Sequence, residues 1–169
     1  SAADARSPAG PPSASPTPPL VLEVGDFHGD LVPEGEADMA WTLGDQGFRM
    51  RLSSYVPELL GAHLSPVVET LLRRAGLTRD QVEWWAVHPG GRAIVDRIQE
   101  VLALPDRSLV PSRQVLRTHG NMSSATLLFV LHDLLSGGEA RADEPVLAMA
   151  FGPGLTVETG VFHLRALEP

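Results

Sequence analysis

Cysteine is absent from this chain of 169 residues. That absence excludes disulfides, thiolate-bound zinc, and any thiolate nucleophile supplied by these residues. Long apolar runs are also missing: no stretch approaches the roughly 18 residues a membrane-spanning helix needs. No lysine-rich run occurs, and the formal net charge is -8. Nucleic-acid binding needs clustered positive charge to meet phosphates, so this balance argues against it. The first residues hold no apolar h-region of a secretory signal. The expectation is a cytoplasmic protein with no membrane span and no nucleic-acid partner. Hydrophobic residues make up 43% and charged residues 20%, which places the chain in the globular class and suits one domain or one half of a larger enzyme.

Residues 1–19 are rich in Ala, Ser and Pro, with Pro8, Pro11, Pro12, Pro16, Pro18 and Pro19. Such a segment buries too little apolar surface to offset its ordering entropy, so it reads as a disordered leader ahead of one domain over residues 20–169. A strand is predicted at Leu20–Val24 and an acidic, turn-rich loop at Asp26–Asp38. Phe48–Ser53 alternates apolar and polar residues, which predicts a half-buried strand. Tyr55–Ala75 then shifts to helical spacing. Pro57 suits its first turn, Pro66 should kink or divide it, and Gly76 should stop it. Thr78 and Gln81 have the spacing of a capping box.

Farther along, Glu83–Val87 reads as a short strand ending at His88, followed by a Pro89-Gly90-Gly91 turn. Arg92–Leu102, Ser112–His119 and Met122–Leu135 read as helices, the last apolar nearly all round and therefore buried. Pro145–Phe151 and Leu155–Leu164 read as strands around a Gly152-Pro153-Gly154 turn. The order is mixed α/β, with buried helices against a sheet.

Three clusters carry candidate chemistry: Val87-His88-Pro89-Gly90-Gly91, Gly120-Asn121-Met122-Ser123-Ser124, and Phe151 to Glu158. Taken singly each has a plain reading. His88 would be a core histidine, Asn121 the N-cap of the next helix, and the third a tight turn. Asp26-Phe27-His28-Gly29-Asp30 lacks a second histidine at helical ligand spacing, so no metal is expected. His63, His119, His132 and His163 read as surface or packing residues. No Gly-x-Ser-x-Gly elbow and no Gly-x-Gly-x-x-Gly after a strand occurs, so neither a serine hydrolase nor a dinucleotide-binding enzyme is supported.

Together, in order and spacing, the strings His88-Pro89-Gly90-Gly91, Gly120-Asn121-Met122-Ser123-Ser124-Ala125 and Gly152-Pro153-Gly154-Leu155-Thr156-Val157-Glu158 resemble the C-terminal domain of the chalcone and stilbene synthase family, the type III polyketide synthases. The likeness runs from about Leu20 to Leu164. The stretch Trp41–Leu60, with Gly44-Asp45-Gln46-Gly47-Phe48, is similar to the bacterial branch.

The resemblance implies the C-terminal half of a thiolase-like fold, in a homodimeric enzyme that extends a starter acyl-CoA with malonyl-CoA. It implies a Cys on an N-terminal half as nucleophile, with His88 and Asn121 completing the triad and no metal or redox cofactor. It also implies a substrate pocket shaped by Trp41, Met50, Leu52, Ser123, Gly152 and Pro153, with the CoA arm passing the backbone at Gly91 and Ala93. Met50 aligns with a gatekeeper that is aromatic in plant enzymes, and Trp41 with a position that is small in chalcone synthase. Trp41, Met50 and Leu52 also read as plain core packing. Ala150 departs from the family's usual Gly, and the basic residues that usually grip CoA phosphates belong to the N-terminal half. Two other readings stand beside this one: a non-catalytic remnant or scaffold, and a β-ketoacyl-ACP synthase III-like enzyme. The latter usually reads His-Gln-Ala-Asn and Asn-Thr-Ser where this chain has His88-Pro89-Gly90-Gly91 and Asn121-Met122-Ser123.

Overall fold

The computed structural model describes residues 18–167. All but the last two residues of the expected leader fall outside that range. Six strands and four α-helices follow in the order β1 (Leu20–Leu31), β2 (Met39–Gly44), β3 (Gly47–Leu52), α1 (Val56–Ala75), β4 (Trp84–Val87), α2 (Arg92–Leu102), α3 (Val110–His119), α4 (Ala125–Ser136), β5 (Pro145–Gly152) and β6 (Thr156–Ala166). Four strands form the main sheet in the order β1-β6-β5-β4, and β2 and β3 form a separate hairpin. The β4–β5 pair is parallel; β5–β6 and β1–β6 are antiparallel. A parallel pair needs a crossover, and α2, α3 and α4 occupy it.

Strands β4 and β5 are apolar on both faces. Trp85, Val87, Leu147, Met149 and Val161 pack with Leu60, Leu64, Leu71 and Ile98 from α1 and α2. Their neighbours Trp84, Ala86, Val146 and Ala148 pack on the other side with Val115 of α3 and Val130 and Leu134 of α4. The side chains alternate strictly, as the pleat demands. The result is a sheet between two helical layers, the mixed α/β arrangement expected.

Four local expectations need correction. β1 does not stop at Val24. It runs to Leu31 through a register shift between Val24 and Phe27. Its pairing comes from the backbone, so acidic and glycine-rich residues do not end it. At Gly25 a Cβ would lie 2.8 Å from the Val161 carbonyl oxygen, so the close approach at the shift requires glycine. Pro66 does not divide α1, which is continuous from Val56 to Ala75. Pro66 and Ala62, whose carbonyl loses its bond, are both exposed, so water can take that bond. β3 is exposed at every position rather than half-buried. α4 is buried on one face only: Leu128 is 67% and Phe129 40% exposed. Gly76, by contrast, ends α1 in the left-handed conformation expected, at φ 68°.

Candidate active site

The C-terminal ends of the parallel strands β4 and β5 meet at one edge of the sheet, where open α/β sheets place their ligands. His88 follows β4 directly. Its backbone N–H donates to the Met149 carbonyl at 2.7 Å, extending the ladder by one residue. Just before it, the Val87 N–H donates to the Oγ of Ser112 at 3.0 Å. Ser112 lies on α3 and is fully buried. β4 is an edge strand, and this hydroxyl takes the place a neighbouring strand would fill. The His88 carbonyl then accepts from the Gly90 N–H at 3.0 Å, turning the chain into α2.

Asn121 comes from the loop between α3 and α4. It is not the N-cap of α4; Ser124 holds that position, with no side-chain cap bond. The Asn121 Nδ2 donates to the Gly90 carbonyl at 3.1 Å. Its Oδ1 accepts from the Ser123 N–H at 2.9 Å. One bond needs a donor and the other an acceptor, so the two together fix which way the amide faces. An amide NH2 carries two hydrogens, and one remains for a ligand. The loop is held in an uncommon shape, with positive φ at Gly120 (73°) and at Ser123 (60°). For a non-glycine residue that conformation is costly and persists only where the surroundings enforce it. Here the Thr126 Oγ1 accepts from the Met122 N–H at 2.7 Å, and the Thr126 N–H donates to the Ser123 carbonyl at 3.0 Å.

His88 and Asn121 open onto one cavity of about 530 Å³. Trp41, Met50, Leu52, Ser123 and Pro153 line it as well. The β2–β3 register sets Met39 opposite Leu52, Trp41 opposite Met50 and Leu43 opposite Phe48, giving the hairpin one apolar face. Met39, Trp41, Met50 and Leu52 of that face line the cavity, and Trp41 meets the Phe48 ring edge-on at 6.4 Å between centroids. At the hairpin tip Leu43 is 80% and Phe48 73% exposed. Gly152 lies between the lining residues Phe151 and Pro153 but does not line the cavity itself; it pairs with Thr156 across the β5–β6 turn. Gly91 and Ala93 lie outside the cavity, at the start of α2. Met39, Val56, Ile94 and Leu127 were not foreseen as lining residues. Only the hairpin pairing of Met39 with Leu52 carried a signal; the others read as ordinary core.

Burial pushes the His88 imidazole below its usual pKa, because charge is disfavoured away from water. The neutral ring therefore dominates at pH 7, with one nitrogen as donor and the other as acceptor. Among the described residues no three His, Asp or Glu side chains gather to hold a metal ion, and no helix is long and apolar enough to cross a membrane.

Residues 25–166 match the family described as chalcone and stilbene synthases, C-terminal domain. The chain belongs to that family. It is 35% identical over 158 residues to a 3,5-dihydroxyphenylacetyl-CoA synthase of Streptomyces toyocaensis, covering 90% of this chain and 40% of the relative. It is 33% identical over 143 residues to a putative chalcone synthase of Bacillus subtilis, covering 85% of this chain and 39% of the relative. Among solved structures, 1,3,6,8-tetrahydroxynaphthalene synthase of Streptomyces coelicolor, a bacterial type III polyketide synthase, superposes with a TM-score of 0.80 at 25% identity. That overlap covers 86% of this chain and 42% of the other. The chain thus spans about two-fifths of the length of these relatives. Its fold is the thiolase-like one of type III polyketide synthases, and His88 and Asn121 line the cavity just described.

Proposed function

We propose that this domain supplies the enolate-stabilising half of a type III polyketide synthase active site. A Cys-bearing N-terminal thiolase-like half supplies the nucleophile, and the assembled enzyme works as a homodimer. The observation that carries the reading is the convergence of His88 and Asn121 on one mostly apolar cavity, coupled through the Gly90 backbone.

In this reaction the partner's thiolate attacks a starter acyl-CoA, the CoA thiolate leaves, and an acyl-cysteine remains. Malonyl-CoA then loses carbon dioxide. The breaking C–C bond leaves its electron pair as an enolate whose negative charge sits on the thioester oxygen. That carbon attacks the acyl-cysteine, and the sulfur departs. Fixed donors aimed at the oxygen lower the barrier because no reorganisation is needed as charge develops. The remaining Asn121 N–H and one His88 ring N–H are such donors. A neutral His88 suits the decarboxylation step, since it donates one hydrogen bond without having to lose or gain a proton. No metal or redox cofactor enters.

No cysteine occurs in these 169 residues, so acyl loading depends on the partner segment. The apolar hairpin tip and the Leu128–Phe129 patch fit a surface covered by that segment. Co-expression of this chain with the N-terminal half of a type III polyketide synthase tests the reading. With a starter acyl-CoA and malonyl-CoA the assembled pair should release carbon dioxide and form pyrones or resorcinols. His88→Gln and Asn121→Asp should each lower the rate by about 100 to 1,000-fold. Unchanged product from both variants in an assembled complex overturns the proposal. A malonyl donor on an acyl carrier protein should be used far less well than malonyl-CoA, which separates this reading from a carrier-dependent synthase.

A further inference from the structure

From Ala125 to Leu131 helix α4 is apolar except at one position, a fully buried threonine. Thr126 does not line the His88 cavity, so no contact with a ligand there accounts for its hydroxyl. Its polar groups are turned instead on the loop that carries Asn121. The Oγ1 accepts from the Met122 N–H at 2.7 Å, and the backbone N–H donates to the Ser123 carbonyl at 3.0 Å. The two residues directly after Asn121 are thus both tied to this one threonine.

The tie matters because the loop has another shape open to it. Ser124 already has helical dihedrals, at φ -56° and ψ -30°. Ser123, at φ 60°, is what breaks the helix there. With Ser123 helical, α4 would begin at Met122 and Asn121 would cap it, the arrangement the local sequence favours. That shape also relieves the cost of a serine at positive φ. As a cap, Asn121 would turn its Oδ1 to the first helical N–H groups, and its Nδ2 would leave the Gly90 carbonyl that it now meets at 3.1 Å. The Thr126 hydroxyl opposes this change. In a regular helix N–H groups point toward the N-terminus, away from a residue four positions later. The bond from Met122 to Oγ1 is therefore available only to the observed loop.

We propose that Thr126 is a positioning residue for Asn121: its hydroxyl selects the loop shape that aims the Asn121 amide at Gly90 and the cavity, over a helical start in which Asn121 is only a cap. Thr126 touches no substrate and acts through Asn121. The structural part stands on these bonds alone; the effect on turnover rests on the condensing-enzyme reading above.

NMR on the 169-residue chain tests the aim directly. Thr126→Val keeps the branched shape and removes the acceptor. In that variant the Asn121 side-chain NH2 signals should shift, and the Ser123 backbone carbon shifts should move to helical values. Thr126→Ser keeps the hydroxyl and should keep the parent signals. Ser123→Gly in the Thr126→Val background should bring the Asn121 signals back, because glycine takes positive φ without strain. Thr159→Val makes the same change at a buried threonine of β6, whose hydroxyl donates to the His28 carbonyl at 2.6 Å, and should leave the Asn121 signals in place. One measurement needs no variant: the Met122 amide of the unmodified chain should exchange slowly with solvent, although it lies in a loop. In the co-expressed enzyme Thr126→Val should lower kcat for malonyl-CoA decarboxylation about tenfold, the shift in population that loss of one ordinary hydrogen bond gives. KM should stay near the parent value, and Thr126→Ser should restore kcat. Fast exchange of the Met122 amide overturns the proposal. So do unmoved Asn121 and Ser123 signals in Thr126→Val, or a failure of Ser123→Gly to restore them. Signals that move as expected in a pair with no turnover would sink the condensation reading and leave the positioning role standing. Unmoved signals in an active pair would do the reverse.

Discussion

Replacing Ser112 by Ala probes how firmly the His88 strand is held. The hydroxyl is fully buried, accepts the Val87 N–H at 3.0 Å and lies 3.5 Å from the Trp85 carbonyl. The second contact is too long to contribute much, so the loss is set by the first. Removing the acceptor leaves a buried backbone N–H without a partner, which costs about 1 to 3 kcal/mol. For a domain of this size each kcal/mol lowers the melting temperature by about 2 to 4 °C. The variant should therefore melt about 2 to 12 °C lower, with a matching fall in the urea midpoint and an unchanged m-value. Hydrogen exchange reads the same event locally: the Val87 amide should lose protection far more than amides of β6. Ser112→Cys, which keeps a weak acceptor at the same place, should fall between the two. A Ser112→Ala protein with unchanged midpoint and a fully protected Val87 amide refutes the reasoning, since that amide would then have another partner.

His88 offers a pH test. Its folded pKa lies below the ordinary 6.5, so the unfolded chain binds the proton more readily. The neutral ring's advantage to folding is fully present above pH 6.5 and is lost as pH falls through the folded value. His88→Gln should remove that part of the acid destabilisation in urea titrations between pH 7.5 and pH 5, and an imidazole NMR titration midpoint above 6.5 contradicts it. Gly35→Ala should destabilise by about 1 to 3 kcal/mol in chemical denaturation, because its new methyl would run into the fully buried Leu155 side chain. An unchanged midpoint would show that Leu155 can move aside. Trp41→Ala should enlarge the cavity and, in the co-expressed enzyme, shift products toward longer chains by mass spectrometry. An unchanged product profile would mean the indole does not limit chain growth.

Much of the fold was legible because its signals are local. Arg92–Leu102 is the observed α2 to the residue, since its apolar spacing is clean and Gly91 precedes it. The capping box at Thr78 and Gln81 forms as read. The failures are those of context. Composition marked residues 26–31 as loop, yet β6 supplies a pairing edge that no local pattern announces; even the Thr159 hydroxyl reaches across to the His28 carbonyl at 2.6 Å. β2 was not foreseen, although Gly44 and Gly47 bracket a two-residue turn that could have flagged it. α4 read as wholly buried because its apolar residues surround the axis, and periodicity cannot say which neighbour covers each side. At the site, the His88 and Asn121 strings drew the eye, but the bond through the Gly90 carbonyl is a tertiary fact. Ser112 gave no sign, since a single serine in a helix carries no pattern.

The two borders of the main sheet are unlike each other. Along β4 the Val87 N–H is already taken from the side by a helix, and all four residues are buried. Along β1 twelve residues run at the rim, with Val24, Phe27 and Leu31 in solvent. A stray extended peptide finds no purchase at the first border and a long open template at the second. Any misassembly of this domain by strand addition should therefore start at Leu20–Leu31, and charges placed at Val24 or Leu31 are the economical way to block it.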